Sequence, residues 1–452
     1  MMDSRRQGPR RLGPRRQGPR RQGPRRQGPR RQGPRRQGPR RLGRRPALDG
    51  LRAVAVMLVI GIHVGLLAAG YIGVDVFLPL SGFLITALVY EEWERTGGIS
   101  LRHFYERRLR RLLPALVLLL VAYAVVMLGL DPFHGQWSTG RLVVTTLLFV
   151  NNLVTTLAPR HGAVLGPLAP TWTLAQEAQF YLLWPPVLLG LLRLRLPPRT
   201  VLALLAVAIV ALLVAEPVAE HLYPAYNAYT SPLDRSAELL FGCAGAIVWR
   251  ERLLPVPLGW RITGWTLVAG LALIVATEQP SVPAWYLIAG ALSTLLAVNL
   301  LSVPDSGCGA GSPSGQRSTA WSLLGRLLAW PPLAYTGRIS YGIYLFHVPI
   351  YYLVWTFVPL HPAFLYGPVI FALSYGSAAL SWTLVESPIL HRPRPRGAPR
   401  RRPARPRHPR RLAMPGWSCP RLPASRRALS ELPAWHRKSA SPRTTTPGTY
   451  GP

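Results

Sequence analysis

The chain has 452 residues, with 53 basic and 18 acidic side chains and a formal net charge of +35. The charge is concentrated at the ends: residues 1–45 hold 18 Arg and one Asp, and residues 391–452 hold 15 Arg, one Lys and one Glu. Residues 46–390 are apolar and nearly neutral, with 19 basic and 16 acidic side chains. This distribution argues against a soluble nucleic-acid-binding domain, whose basic residues would lie in its folded part. Three scattered cysteines exclude a disulfide framework.

Both ends of the chain are predicted to be disordered. Residues 5–39 repeat the pentapeptide Arg-Arg-Gln/Leu-Gly-Pro seven times, with no apolar face from which a core could form. The repeat is either a polybasic arm for anionic lipid or low-complexity sequence without a function, and we favour the second interpretation. The predicted regions are therefore a disordered repeat at 1–45, a membrane domain at 46–390 and a disordered basic tail at 391–452.

Ten apolar runs in the middle region are candidates to cross a bilayer core of about 30 Å. They lie at 51–69, 72–90, 112–130, 174–192, 200–216, 236–250, 262–277, 284–303, 340–358 and 363–385. An eleventh run, 141–157, is shorter and contains two Asn and four Thr, so we interpret it as a re-entrant or partly embedded helix. The sequence predicts an all-α, polytopic integral membrane protein with about ten transmembrane helices.

The arginine-rich loops predict the orientation of these helices, because such loops face the cytoplasm. With ten spans, the loops 102–111, 193–199, 250–261 and 317–338 and both tails all lie on one side. We therefore predict a multi-pass protein of the plasma (inner) membrane with both termini cytoplasmic. A cleaved signal peptide at 45–70 is disfavoured, because the apolar run is too long and His63 interrupts it.

Ionisable side chains within apolar spans are costly unless they are paired or face a cavity, so they are candidates for function. They are Arg52, His63, Asp75, Glu177, His347 and Glu386. His63 is the natural general base, because imidazole titrates near neutrality. On position alone, a hydrogen-bonded packing role for His63 is equally favoured. Asp75 and Glu177 could orient His63, or could cap helices at the positive end of the macrodipole.

A basic segment, Phe104–Pro114, precedes the third span and has the sequence FYERRLRRLLP. Arg108 and Arg111 lie three residues apart and hence on one helical face, where they could grip a phosphate group. The alternative is an ordinary cytoplasmic cluster that stops translocation.

Six segments, taken in chain order over about 46–392, resemble the acyltransferase 3 family of integral membrane O-acyltransferases. The family includes bacterial O-acetylases of lipopolysaccharide and peptidoglycan and acyltransferases that act on macrolides. The segments are Leu48–Val56 (LDGLRAVAV) followed by His63, Gly73–Thr86 (GVDVFLPLSGFLIT), Phe104–Pro114, Thr171–Tyr181 (TWTLAQEAQFY), Ile339–His347 (ISYGIYLFH) and Val385–Pro388 (VESP).

The resemblance implies roles for particular residues. His63 matches the essential histidine of the family, and Glu177 matches a motif carboxylate that we place with it in catalysis. Arg52, Arg108 and Arg111 match arginines that bind the acyl donor at the cytoplasmic face. The remaining motif positions, to which we assign a supporting role, are Asp49, Asp75, Ser81, Tyr341, His347 and Glu386. The resemblance implies no metal and no bound cofactor, with acyl-CoA, most simply acetyl-CoA, as co-substrate.

Two motif positions depart from the family pattern: Thr173 replaces the usual Ser, and Leu78-Pro79 replaces the usual Phe-Val. The extracellular esterase-like domain fused to some members is also absent, which favours a stand-alone membrane module. The interpretation is an O-acyltransferase that moves an acyl group from acyl-CoA to a hydroxyl of a cell-surface glycan, glycolipid or glycosylated natural product. In it, His63 either deprotonates the acceptor or relays the acyl group covalently. Its expected partners are that acceptor, the acyl-CoA donor and the lipid bilayer, but not nucleic acid. The alternatives are a transporter or flippase, in which buried charges are equally expected, and a membrane scaffold without catalytic activity.

Overall fold

The computed structural model describes residues 42–43, 45–130, 138–157, 166–223, 226–253, 260–276, 283–302, 319–358 and 365–391, which form α-helices and no strand. The helices are α1 (Pro46–His63), α2 (Ile72–Thr96), α3 (Leu101–Leu130), α4 (Thr139–Leu147), α5 (Asn151–Thr156), α6 (Thr171–Arg193), α7 (Pro198–Leu222), α8 (Pro232–Glu251), α9 (Trp260–Ala276), α10 (Pro283–Ser302), α11 (Thr319–Leu328), α12 (Pro331–Phe357), α13 (Tyr366–Ser381) and α14 (Ser387–His391). A π-helical turn, Trp382–Glu386, joins α13 to α14. The predicted all-α class is confirmed for these residues.

Several of these helices are long and apolar enough to cross a membrane. Six segments qualify: Pro46–His63, Ile72–Thr96, Leu101–Leu130, Pro198–Leu222, Trp285–Ser302 and Tyr366–His391. The protein is therefore a multi-pass membrane protein. Helices α6, α8 and α12 have 23, 20 and 27 residues, which is enough length at about 1.5 Å per residue, but polar side chains lower their hydropathy. The count of ten spans and the orientation of the termini stay predictions.

The segment predicted to be partly embedded, 141–157, is split into two short helices. The nine-residue α4 and six-residue α5 are separated by Phe149, whose φ of 55° lies in a region that side chains with a Cβ rarely adopt. Neither helix is long enough to cross the bilayer core. The amide groups of Asn151 and Asn152 are buried and bond to side chains of α6. These polar contacts explain why this run contains Asn and Thr, and they dock α5 against α6.

The centre of the molecule is a bundle in which α1 packs on α12 and α2 packs on α8 and α10. Glycines allow the backbones to approach closely, as small residues do in membrane helix pairs. A Cβ built on Gly337 of α12 would lie 1.7 Å from the carbonyl oxygen of Asp49 in α1, and one built on Gly242 of α8 would lie 1.9 Å from that of Pro79 in α2. This packing places the C-terminal end of α1 and the N-terminal end of α2 beside the middle of α12.

Nearly all of the two predicted disordered ends lies outside the described residues. The proposed boundaries at 45 and 391 therefore stay predictions.

Candidate active site

His63 lies at the last residue of α1, where its ring meets the ring of His347 from α12. The two centroids are 4.8 Å apart and the rings are nearly perpendicular, at 84°. The Nδ1 of His63 lies 2.8 Å from the carbonyl oxygen of Val59, which can only accept a hydrogen bond, so Nδ1 carries the proton. In the neutral imidazole, Nε2 is then the basic nitrogen.

His347 has the same bonding pattern but is fully buried. Its Nδ1 donates to the carbonyl oxygen of Tyr344 at 2.6 Å, and its Nε2 has no hydrogen-bond partner among the described residues. The exposed ring of His63 therefore rests against a buried ring that fixes its orientation. Of the two histidines, only His63 can reach a substrate.

His63 forms part of the wall of a cavity of about 420 Å³, which we call the histidine cavity. This volume lies in the usual range for small-molecule sites. The other residues that line it are aromatic or apolar: Val59, Ile62, Tyr71, Val74, Ala169, Pro170, Trp172, Tyr229, Tyr286 and Tyr344. None of these described lining residues is an arginine, lysine, aspartate or glutamate. The cavity therefore suits a neutral ligand.

A second, smaller cavity of about 50 Å³ contains charged groups, and we call it the arginine pocket. Arg52 and Glu177 both line it. The carboxylate of Glu177 accepts hydrogen bonds from the Ser81 hydroxyl at 2.7 Å and the Tyr181 hydroxyl at 2.8 Å. Glu177 is thus held beside Arg52 and not against His63. The predicted catalytic role of Glu177 remains untested, and its contacts place it among the arginines.

Arg108 and Arg111 of α3 converge on the same region. The Arg108 guanidinium lies 5.4 Å from the centre of the Tyr181 ring and within electrostatic range of Arg111 and Glu177. Arg111 is in turn within range of Arg52. Guanidinium groups bind phosphate oxygens in a planar, bidentate geometry, so this group of three arginines is a candidate anion site, with Glu177 among them.

Two supporting motif residues, Tyr341 and Glu386, lie near Arg111, and Tyr341 also lines the arginine pocket. The Tyr341 hydroxyl donates to the carbonyl oxygen of Leu112 at 2.8 Å, which ties α12 to α3. Glu386, in the π-helical turn, is buried and accepts a hydrogen bond from Ser381 at 2.9 Å. Both lie within electrostatic range of Arg111. Asp49, the remaining motif residue, lies in the first turn of α1, where α12 packs closely against its backbone.

The two cavities meet at Tyr344 and Val74, which line both of them. Thr173 donates a hydrogen bond of 2.9 Å to the Tyr344 hydroxyl. The departure from the usual Ser at 173 keeps this hydroxyl. Tyr344 was not predicted as a site residue, because a tyrosine in an apolar helix is uncharged and does not stand out in the sequence.

Asp75 belongs to a buried ion cluster. Arg235 of α8 bonds Asp75 at 2.7 Å and Glu238 at 2.6 Å, and all three side chains are at most 1% exposed. Asp75 lies in the first turn of α2, the position that the capping alternative requires, and the role of orienting His63 stays a prediction. Arg235 was missed, although an arginine on the predicted outer side of a span is itself unusual.

Among the described residues, no group of three or more His, Cys, Asp or Glu side chains is placed to hold a metal ion. The cluster around Arg235 has only two carboxylates, and the guanidinium occupies one oxygen of each.

A family model described as "Acyltransferase domain" (acyltransferase 3) matches residues 45–385. The chain is 30% identical over 365 residues to peptidoglycan O-acetyltransferase OatA of Listeria monocytogenes, an alignment that covers 76% of this chain and 55% of that protein. It is 30% identical over 364 residues to O-acetyltransferase OatA of Staphylococcus aureus, with 76% and 57% covered. The chain therefore spans about half the length of these relatives. No solved structure matches it significantly.

Proposed function

The chain belongs to the acyltransferase 3 family, and on this basis we propose that it is an O-acyltransferase. It moves an acyl group, most simply acetyl, from an acyl thioester such as acetyl-CoA to a hydroxyl of a cell-envelope glycan or a glycosylated small molecule. The observation that carries this proposal is the free Nε2 of His63 on the wall of a cavity large enough for a sugar.

His63 acts as general base in this reaction. Its Nε2 takes the proton from the acceptor hydroxyl, and the oxygen attacks the thioester carbonyl carbon. The tetrahedral intermediate collapses, the carbon–sulfur bond breaks, and the imidazolium returns the proton to the leaving thiolate. The Val59 carbonyl supports the imidazolium, because it keeps the Nδ1–H bond through both steps.

The donor is bound by the arginine cluster. Arg52, Arg108 and Arg111 supply positive charge for the phosphates of CoA, and Glu177 holds the cluster together through Ser81 and Tyr181. The arginine pocket, at about 50 Å³, has room for only a few water molecules. Binding of the donor therefore requires the pocket to open, and Tyr344 lies where the acyl group passes to the histidine cavity.

The predicted topology agrees with separate donor and acceptor sites. It places the arginine cluster toward the cytoplasm, where acyl-CoA is present, and His63 in the outer half of the plasma membrane. The peptidoglycan named for the Listeria relative makes an amino-sugar glycan the first acceptor to test.

The test is acyl transfer by the full chain in proteoliposomes, supplied with acetyl-CoA labelled in the acetyl group and with a soluble glycan acceptor. We expect label to appear on the glycan as an alkali-labile ester, and free CoA to be released in equal amount. Movement of glycan or acetyl-CoA across the membrane without ester formation would support a transporter instead. Absence of both ester formation and transport under these conditions would support a membrane scaffold without catalytic activity.

A further inference from the structure

A further cavity, of about 390 Å³, lies between α3, α12 and the end of α13, and we call it the lateral cleft. Its inner side is formed by Phe346, Pro349, Ile350 and Leu353 of α12. Their spacing of i, i+3, i+4 and i+7 puts these four side chains on one face of the helix. The cleft shares no lining residue with the histidine cavity or the arginine pocket, so it is a separate site.

The surface that the cleft presents is almost wholly apolar. The described residues that line it include no charged side chain, and only Tyr123, Ser377 and Ser381 carry hydroxyl groups. The Tyr123 oxygen is buried, so this residue presents its ring and not its hydroxyl, and the Ser381 hydroxyl donates to Glu386 at 2.9 Å. Ordered water needs polar partners that such a lining does not supply. The cleft therefore suits an aliphatic ligand.

The mouth of the cleft lies on the surface that the protein presents to lipid. Leu118 and Ala122 of α3 stand on one side of it, and Leu380 and Leu384 stand on the other. All four are exposed, Leu380 and Leu384 by 60% and 66%. They belong to Leu101–Leu130 and Tyr366–His391, two segments that are long and apolar enough to cross the membrane. The mouth is therefore continuous with the lipid-facing surface of these two spans.

We propose that the lateral cleft binds one acyl chain of a bilayer phospholipid. The chain is uncharged and aliphatic, as the lining is, and it enters sideways from the bilayer without passing through water. Packing a chain into the cleft supplies dispersion contacts that its lining otherwise lacks, so binding should stabilise the bundle. The π-helical turn, an irregularity frequent at functional sites, contributes Leu384 and Val385 to the lining. This site does not depend on the proposed acyl transfer.

The first test is photolabelling of the full chain in proteoliposomes that contain phosphatidylcholine with a diazirine in one acyl chain. Mass spectrometry compares label on Ile350, inside the cleft, with label on Leu204 and Val207, exposed residues of α7 that report ordinary contact with the bilayer. A preference of about 1.4 kcal/mol over other bilayer contacts corresponds to about tenfold enrichment, and we expect an excess of that order on Ile350. Label on Ile350 should also saturate as the mole fraction of the probe rises, whereas label on α7 should rise in proportion to it. Label on Ile350 that does not exceed that on α7, or that rises in proportion to the probe, would overturn the proposal.

A pair of variants gives the second measurement. Ala122→Trp places a bulky side chain at the mouth, at an exposed position, and should lower the label on Ile350 to the level of α7. Ala372→Trp, at an exposed position of α13 outside the cleft, is the matched control and should label as the wild type does. Because a ligand of the folded state stabilises it, dioleoyl phosphatidylcholine should raise the thermal unfolding midpoint of the delipidated wild type and of Ala372→Trp more than that of Ala122→Trp. Unchanged label on Ile350 in Ala122→Trp, or an equal rise in midpoint for all three proteins, contradicts the site.

Discussion

At the residue scale, Arg108 shows how packing and charge combine in the arginine cluster. Its guanidinium stacks on the rings of Tyr181 and Phe104, and lysine cannot reproduce a stacked planar group. Arg108→Ala should raise the apparent KM for acetyl-CoA by about ten- to a hundredfold, since a hydrogen bond to a charged group contributes about 1.5–3 kcal/mol.

Steady-state kinetics at varied acetyl-CoA concentration checks this prediction. Arg108→Lys should recover only part of the loss, and kcat should change little, because a phosphate contact acts on donor binding. Arg107→Ala is the matched control: Arg107 is exposed and pairs with Glu92. A fall in kcat at unchanged KM would place Arg108 in the chemical step instead.

Of the charged residues described above, Arg235 should contribute most to the stability of the folded protein. Removing it leaves Asp75 and Glu238 buried without a compensating cation, which costs about 3–5 kcal/mol for a broken buried pair. Arg235→Leu should therefore lower the thermal unfolding midpoint in detergent markedly, and adding Asp75→Asn should restore part of the loss. Arg199→Leu, at an exposed position, should have little effect. An unchanged midpoint in Arg235→Leu would mean that the cluster does not hold the bundle together.

The sequence pointed to Arg52 and His63 because an ionisable side chain in an apolar run needs a reason to be there, and to Arg108 and Arg111 because they lie three residues apart in a basic segment. The same rule identified Asp75 and Glu177 but could not assign their partners, since partners depend on which helices adjoin. Arg235 lies just outside the apolar run at 236–250, so the search for ionisable residues within spans did not include it. Tyr344 and Tyr286 are ordinary in apolar helices, and only the fold shows that they line a cavity.

At the scale of the helices, the close contact of α1 with α12 sets the position of His63 relative to His347. Alanine normally favours a helix over glycine by about 1 kcal/mol, but at Gly337 its Cβ would lie 1.7 Å from the Asp49 carbonyl oxygen. Gly337→Ala should therefore lose about 1–3 kcal/mol, as overpacking does, and should reduce turnover by displacing α1.

The matched control is Gly376→Ala in α13, where the added methyl group meets nothing within 4 Å. This variant should be as stable as the wild type or slightly more stable in the same thermal unfolding measurement. Equal unfolding midpoints for Gly337→Ala and Gly376→Ala would show that the α1–α12 contact has room for the added methyl group.

Helix positions were largely predictable from the apolar runs, and helix ends were not. The run at 340–358 corresponds to α12, which begins at Pro331, because Pro331 and Pro332 fit the first turn of a helix. The final run, drawn to end at 385, continues through a π-helical turn to His391. A π-helical turn is an irregularity of the backbone, which hydropathy does not record.

At the scale of the whole molecule, the orientation of the chain follows from its arginine-rich loops. Reporter fusions at Arg199, between α6 and α7, and at Arg252, after α8, should both report a cytoplasmic location. The reason is that only an even number of spans before each site places all the arginine-rich loops on one side. An external signal at either site would contradict the ten-span topology and the assignment of the donor side.

The central claim is that this membrane bundle brings a donor site of arginines and an acceptor cavity together at one catalytic imidazole. Its most direct test is the turnover of acetyl transfer by His63→Ala, compared with His221→Ala, which removes an exposed histidine of α7. General base catalysis contributes about 10²–10⁴-fold in rate, so His63→Ala should lose at least about a hundredfold while inserting into membranes normally, and His221→Ala should keep full activity. Retention of more than about a tenth of wild-type turnover by His63→Ala would contradict the account.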